Sequence, residues 1–172
     1  MKTTLIVLLV STFSFLGLRT DNQVTTTKKK VAAITFAELQ ERLGNSSDEL
    51  IVCNFWATWC KPCVEELPYF EELQKKYADK KIKVLFVSLD RPSTRTSRVQ
   101  KFVNNRGIEA EVVLLDEPNL SQDDWIPLID KGWEGDIPAT LYINTSKNVR
   151  EFHTGSYENF EELETKVKSL LK

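Results

Sequence analysis

Histidine is nearly missing from this chain: His153 stands alone among 172 residues. A metal centre built on imidazoles, or a Ser-His-Asp triad, is therefore hard to assemble. Cysteine is also scarce, and three in a chain of this length do not make a disulfide scaffold. Six glycines and six prolines exclude low-complexity and collagen-like chains. Neither sign of charge dominates. Lys and Arg number 23 against 25 Asp and Glu, for a net charge of -2, and no run of like charge exceeds Lys28-Lys29-Lys30. A protein that lives on phosphate contacts needs a basic face, so nucleic acid is not expected as a partner. What remains is 41% hydrophobic and 28% charged residues, enough for one soluble domain with a core, plus an appendage. Any chemistry falls to the cysteines.

The appendage is N-terminal. Lys2 precedes an apolar run from Leu5 to Leu18, interrupted by Ser11, Thr12, Ser14 and Gly17. A short positive start followed by roughly 14 apolar-rich residues matches a secretory signal peptide. It is short for a bilayer span, which needs about 20 residues. No A-x-A triplet marks a cleavage site, so an uncleaved membrane tether through residues 5-18 stays open. No cysteine lies near residue 20, which excludes lipid attachment there. Residues 19–33 are polar and Thr-rich and read as a flexible linker. Residues 34–172 then form the folded domain, facing an extracytoplasmic, periplasmic space where thiols can be oxidised.

Periodicity orders that domain. Thr35-Phe36-Ala37-Glu38 is a capping-box pattern, and Phe36, Leu39 and Leu43 follow at helical spacing over 36–43. Leu50 to Trp56 is a short apolar run typical of a buried strand. Cys60 to about Tyr77 reads as an amphipathic helix, with Pro62 in its first turn and Pro68 inside it. Strand Ile82–Leu89, helix Thr94–Asn105 closed by Gly107, strand Glu111–Leu115 and a short helix over Gln122–Lys131 follow. Ala139–Asn144 and Asn148–His153 read as a hairpin. A final helix, Tyr157–Leu171, carries Phe160, Leu163, Val167 and Leu170 on one face. Strands alternating with helices, then a hairpin and a helix, predict an α/β sandwich with a mixed sheet.

The motif with chemical content is Cys60-Lys61-Pro62-Cys63, placed directly after a strand and opening a helix. A helix N-terminus presents unpaired N–H groups and partial positive charge. That field stabilises a thiolate, so Cys60 should ionise below the ordinary cysteine value. Cys63, one turn on, can attack a mixed disulfide on Cys60 and release the product. Two other readings use the same residues. The pair is half of a zinc site if Cys53 and His153 complete it, or it is a purely structural disulfide. Elsewhere, Cys53 on the strand reads as a small buried apolar group, and His153 as structural or solvent-facing. Trp125 and Trp133 read as core, with a partner-binding rim beside the active site as the alternative. Asp116-Glu117 and Asp123-Asp124 read as solvated loops.

Trp56-Ala57-Thr58-Trp59-Cys60-Lys61-Pro62-Cys63 resembles the W-A-x-W-C-x-P-C active site of the thioredoxin superfamily. Pro68 matches that family's helix proline, and Ile137-Pro138-Ala139-Thr140 resembles its cis-proline segment. The resemblance implies a three-layer α/β/α sandwich with a mixed central sheet. About 48 residues separate Leu89 from Ile137, which implies an insertion before the cis-proline segment. With the signal-like segment and Glu66, it points to the TlpA/ResA-like extracytoplasmic thiol–disulfide oxidoreductases. The implied catalytic residues are Cys60, Cys63 and Glu66. The implied substrate-binding residues are Trp59, Lys61, Pro62, Ile137 and Pro138. No cofactor or metal is implied.

The family's buried Asp is replaced here by Asn54, which cannot accept a proton, so that role passes to Glu66 or water. Lys61 adds positive charge near Cys60. The implied activity is reduction of protein disulfides, apocytochrome c among the substrates, with a membrane thiol reductase as electron donor. A thiol oxidase or disulfide isomerase uses the same residues, and potential rather than motif decides the direction. A peroxidase places its attacking cysteine in a different local context. The non-enzymatic alternative is a thioredoxin-fold binding module that grips partners with the Cys60 face and Trp125.

Overall fold

The computed structural model describes residues 29–44 and 50–171. The signal-like segment at 1–18 lies outside the described residues, as does most of the stretch read as a linker. The elements run β1 (Ala32–Ile34), α1 (Phe36–Gly44), β2 (Leu50–Trp56), α2 (Lys61–Lys76), β3 (Ile82–Ser88), α3 (Gln100–Arg106), β4 (Glu111–Leu115), α4 (Gln122–Ile129), β5 (Ala139–Asn144), β6 (Val149–Thr154) and α5 (Phe160–Leu170). One six-stranded sheet has the order β1-β4-β3-β2-β5-β6. The first four strands in that order run parallel, while β5 and β6 pair antiparallel. This is the mixed sheet expected.

Every residue of β2 is buried, because helices cover both faces. Side chains alternate between two cores. Val52 and Trp56 join Phe70 and Leu73 of α2 and Leu163 and Val167 of α5 on one face. Cys53 and Phe55 join Leu39 and Leu43 of α1 and Trp125 and Ile129 of α4 on the other. The result is the three-layer α/β/α sandwich. The insertion between β3 and β5 supplies α3, β4 and α4.

Several expectations change. The chain from Val31 onward belongs to the domain rather than to a linker: Val31 is buried, and Ala32–Ile34 pairs with Val113–Leu115. Three residues are too few to show a period of two, so this strand leaves no pattern in the sequence. The helix expected from Thr94 begins as a 3-10 turn at Pro92–Thr94 and a π-helical turn at Arg95–Val99, and is regular only from Gln100. Hydroxyls there bond backbone carbonyls, as Thr94 Oγ1 does to Arg91 O at 2.8 Å. The last helix starts at Phe160, because Asn159 caps it by accepting from Glu162 N–H at 2.9 Å.

The acidic pairs are not simply solvated. Asp124 closes a capping box with Ser121 at the start of α4, and Glu117 accepts the Phe36 N–H at 2.9 Å.

Trp125 and Trp133 are both core. Their rings pack 5.9 Å apart, Trp125 lies 5.9 Å from Phe36, and Trp133 lies 4.8 Å from Phe55. A rim role is thereby excluded for both, and with it a partner grip by Trp125. Trp133→Ala should cost about 3–5 kcal/mol of stability, as for other buried aromatic truncations. Urea unfolding checks this, and a cost under 1 kcal/mol would place the ring outside the core.

Candidate active site

The β2–α2 junction is built by four backbone and side-chain contacts. Leu89 N–H donates to Trp56 O at 2.8 Å, tying the end of β2 to the chain leaving β3. Cys60 N–H donates to Ala57 O at 3.1 Å and closes the turn. Cys60 is then the N-cap of α2, and its Sγ accepts the Cys63 N–H at 3.3 Å. Pro62 occupies the first turn, where its missing N–H costs nothing. Cys60 and Cys63 are joined as a disulfide. Cys60 keeps 6% of its surface exposed and Cys63 none, so an incoming thiol or disulfide reaches Cys60 first.

The residues expected around the pair fall into place unequally. Ile137 O lies 3.7 Å from Cys60 Sγ, the Ile137–Pro138 peptide is cis, and Pro138 is buried. Trp59 is 64% exposed beside the disulfide. Pro62 is also exposed. Lys61 points into solvent and pairs with Glu65 at 3.6 Å, so water and that carboxylate screen its field at Cys60.

Glu66 lies one turn after Cys63 on the same buried face of α2 and is 1% exposed. Its Oε1 accepts from Asn54 Nδ2 at 2.9 Å and its Oε2 from Tyr157 N–H at 2.9 Å. Asn54 and Thr140 face each other in the β2–β5 register, and Asn54 Nδ2 also donates to Thr140 Oγ1 at 3.1 Å. Burial pushes the Glu66 carboxyl from 4.5 up to about 7, against the two hydrogen bonds that favour its ionised form.

Cys53 sits in the opposite core from Cys63, behind the sheet, and burial raises its thiol far above the ordinary range. It cannot reach the pair as a zinc ligand or as a third exchanging thiol. His153 stacks on the Tyr157 ring at 4.3 Å, and burial lowers its basicity. A residue that pattern reading passed over is Asp90, 2% exposed, just past β3. It accepts hydrogen bonds from Thr58 N–H, Thr58 Oγ1 and Ser88 Oγ. Its only signal in the sequence is a polar Ser-Leu-Asp ending an apolar strand.

A thioredoxin-like sandwich that presents a half-open cysteine pair at a helix N-terminus defines a thiol–disulfide oxidoreductase. The chain belongs to the AhpC/TSA family, whose model matches residues 23–152. It is 28% identical over 131 residues to thiol-disulfide oxidoreductase ResA of Geobacillus kaustophilus, covering 76% of this chain and 68% of that protein. It is 27% identical to thioredoxin-like protein YneN of Bacillus subtilis, covering 77% and 72% respectively. Among solved structures it is similar to a thiol:disulfide interchange protein of the thioredoxin family from Chlorobium tepidum. There the TM-score is 0.57 and the identity 27%, over 72% of this chain and 81% of that one.

The raised Glu66 carboxyl has a thermodynamic consequence. Unfolded, it releases its proton near 4.5; folded, near 7. Between those values the folded chain binds more protons than the unfolded one, so stability falls as pH rises through that window. The loss totals about 3 kcal/mol and is complete above about pH 7. Urea unfolding of the oxidised chain at pH 5 and pH 8 should show it, and Glu66→Gln should remove most of the difference. The same pH dependence in both chains would contradict the assignment.

Proposed function

We propose that this chain reduces disulfides of extracytoplasmic proteins through Cys60 and Cys63. The observation that carries the reading is the asymmetry of the pair: Cys60 is half-open and accepts an N–H at the helix N-terminus, while Cys63 is sealed behind it. The Cys60 thiolate attacks one sulfur of a substrate disulfide. A Cys60–substrate bond forms and the substrate's other sulfur leaves as a thiolate. Cys63, deprotonated, then attacks Cys60 Sγ. The second substrate sulfur leaves as a thiolate, and the Cys60–Cys63 disulfide re-forms. The substrate has gained two electrons, and a dithiol partner must return two to the enzyme. A membrane thiol reductase is the donor this reading requires, and apocytochrome c is one substrate it admits.

Glu66 is the proton acceptor for Cys63. A carboxyl poised near 7 can take a thiol proton and give it up again. The Asn54 amide can serve both states of Glu66. As drawn, Nδ2 donates to the carboxylate, while Oδ1 is buried without a hydrogen-bond partner. Rotation of the amide offers that oxygen to a protonated Glu66. Substrate lies in extended form across the Ile137–Pro138 backbone, against the exposed Trp59 ring and the Lys61-Pro62 edge. An N-terminal signal or tether within residues 5–18 delivers the domain outside the cytoplasm. No helix among the described residues is long and apolar enough to cross a membrane.

Turnover of an insulin disulfide with dithiothreitol as donor tests the reading. Cys60→Ser should fall to the uncatalysed rate. Cys63→Ser should accumulate a Cys60–substrate mixed disulfide, visible as a mass increase that reductant removes. A chain in which Cys60→Ser keeps full turnover would sink the proposal. So would an adduct on Cys63 rather than Cys60.

A further inference from the structure

The turn that presents Cys60 is held from the side by a group with no part in the exchange chemistry. In the parallel β2–β3 register Trp56 lies opposite Ser88. Two residues further along both chains, Thr58 faces Asp90. The strands have ended there, yet the pairing continues through side chains. Asp90 Oδ2 accepts the Thr58 N–H at 2.8 Å and the Ser88 hydroxyl at 2.9 Å, and Oδ1 accepts the Thr58 hydroxyl at 2.6 Å. Asp90 N–H in turn donates to Ser88 Oγ at 3.2 Å.

Each end of the turn is thus tied to a different partner. Trp56 O is held by Leu89 N–H, and Ala57 O by Cys60 N–H. Without Asp90, Thr58 N–H in the middle has no strand to bond, because the ladder stops at Trp56. A buried carboxyl saturated by three local donors is costly to desolvate unless all three bonds are kept. The arrangement therefore resists any displacement of Thr58, and Thr58 stands two residues before the Cys60 sulfur.

We infer that Asp90 is a positioning residue: by gripping Thr58 it fixes the turn so that Cys60 Sγ stays seated on the Cys63 N–H at the start of α2. This inference rests on the oxidoreductase reading for its biological meaning, but not for its test. Disulfide exchange depends on how much of Cys60 is thiolate, and that depends on its seat at the helix N-terminus. A turn freed at Thr58 lets the sulfur drift from the N–H donor and from the positive end of the helix.

The test is the pH profile of Cys60 alkylation by iodoacetamide in the reduced full-length chain, followed by mass spectrometry so that Cys60 alone is counted. Dividing each rate by its high-pH plateau removes differences in access. Thr58→Val keeps the side-chain volume and every charge but deletes the 2.6 Å bond. It should raise the pH midpoint and lower the normalised rate at pH 7 about tenfold, the size expected for losing a hydrogen bond to a charged group. Thr58→Ser, which keeps the hydroxyl, should restore the wild-type profile. Ser88→Ala, which removes one support of Asp90, should shift it the same way by less, and it carries the test if Thr58→Val does not fold.

A Thr58→Val chain that melts earlier but keeps the wild-type midpoint would make the cluster merely structural and overturn the inference. A shift in Thr58→Ser equal to that in Thr58→Val would also overturn it. Because alkylation needs no substrate, a wild-type chain that fails to reduce insulin would defeat the proposed function while leaving this result readable.

Discussion

The site depends on one contact, the Cys63 N–H pointing at Cys60 Sγ across the first turn of α2. That contact exists only because a fully buried strand ends one short turn before a helix begins. β2 is locked on both sides by paired strands, so the position of Trp56 is not adjustable. The helix is locked from below by Cys63, Leu67, Phe70 and Leu73, all buried against the sheet. The turn between them has no freedom left except at Thr58. Everything that makes Cys60 a nucleophile follows from this: orphan N–H donors, partial positive charge, and a sulfur at the surface of an otherwise closed core.

The second constraint is the cost of carrying Glu66 inside that core. A carboxyl 1% exposed with two N–H donors is partly compensated, not fully. The residual cost appears as a proton held up to about pH 7. Stability is thereby exchanged for a group that can trade protons in the range where thiols react, a common arrangement at functional sites. The Tyr157 N–H that supports Glu66 is also the reason α5 begins later than its apolar spacing suggests. That amide is committed to a side chain across the core before the helix can use it.

Most of the frame was legible because burial on both faces writes continuous apolar runs into a sequence. Leu50–Trp56, Glu111–Leu115 and Ala139–Asn144 were read with the bounds they have. The cysteine pair was legible because its chemistry needs a strand before and a helix after. Cys60, Cys63, Ile137 and Pro138 come together as the motif resemblance implies. What was not legible depends on long-range partners. β1 is stabilised by β4, more than seventy residues away, and not by its own pattern. Trp125 and Trp133 look alike as core or as rim until α4 is seen to pack against α1 and β2. Asp90 and Glu117 look like loop acids until the N–H groups they serve are placed beside them.

The most direct test of the account is the reduction potential of the Cys60–Cys63 pair, measured by equilibrating the full-length chain with defined thiol buffers. A reductase supplied by a dedicated donor should lie near thioredoxin, at roughly −270 mV or lower. A value near −120 mV, where strong disulfide donors lie, would reverse the direction of electron flow proposed for this protein.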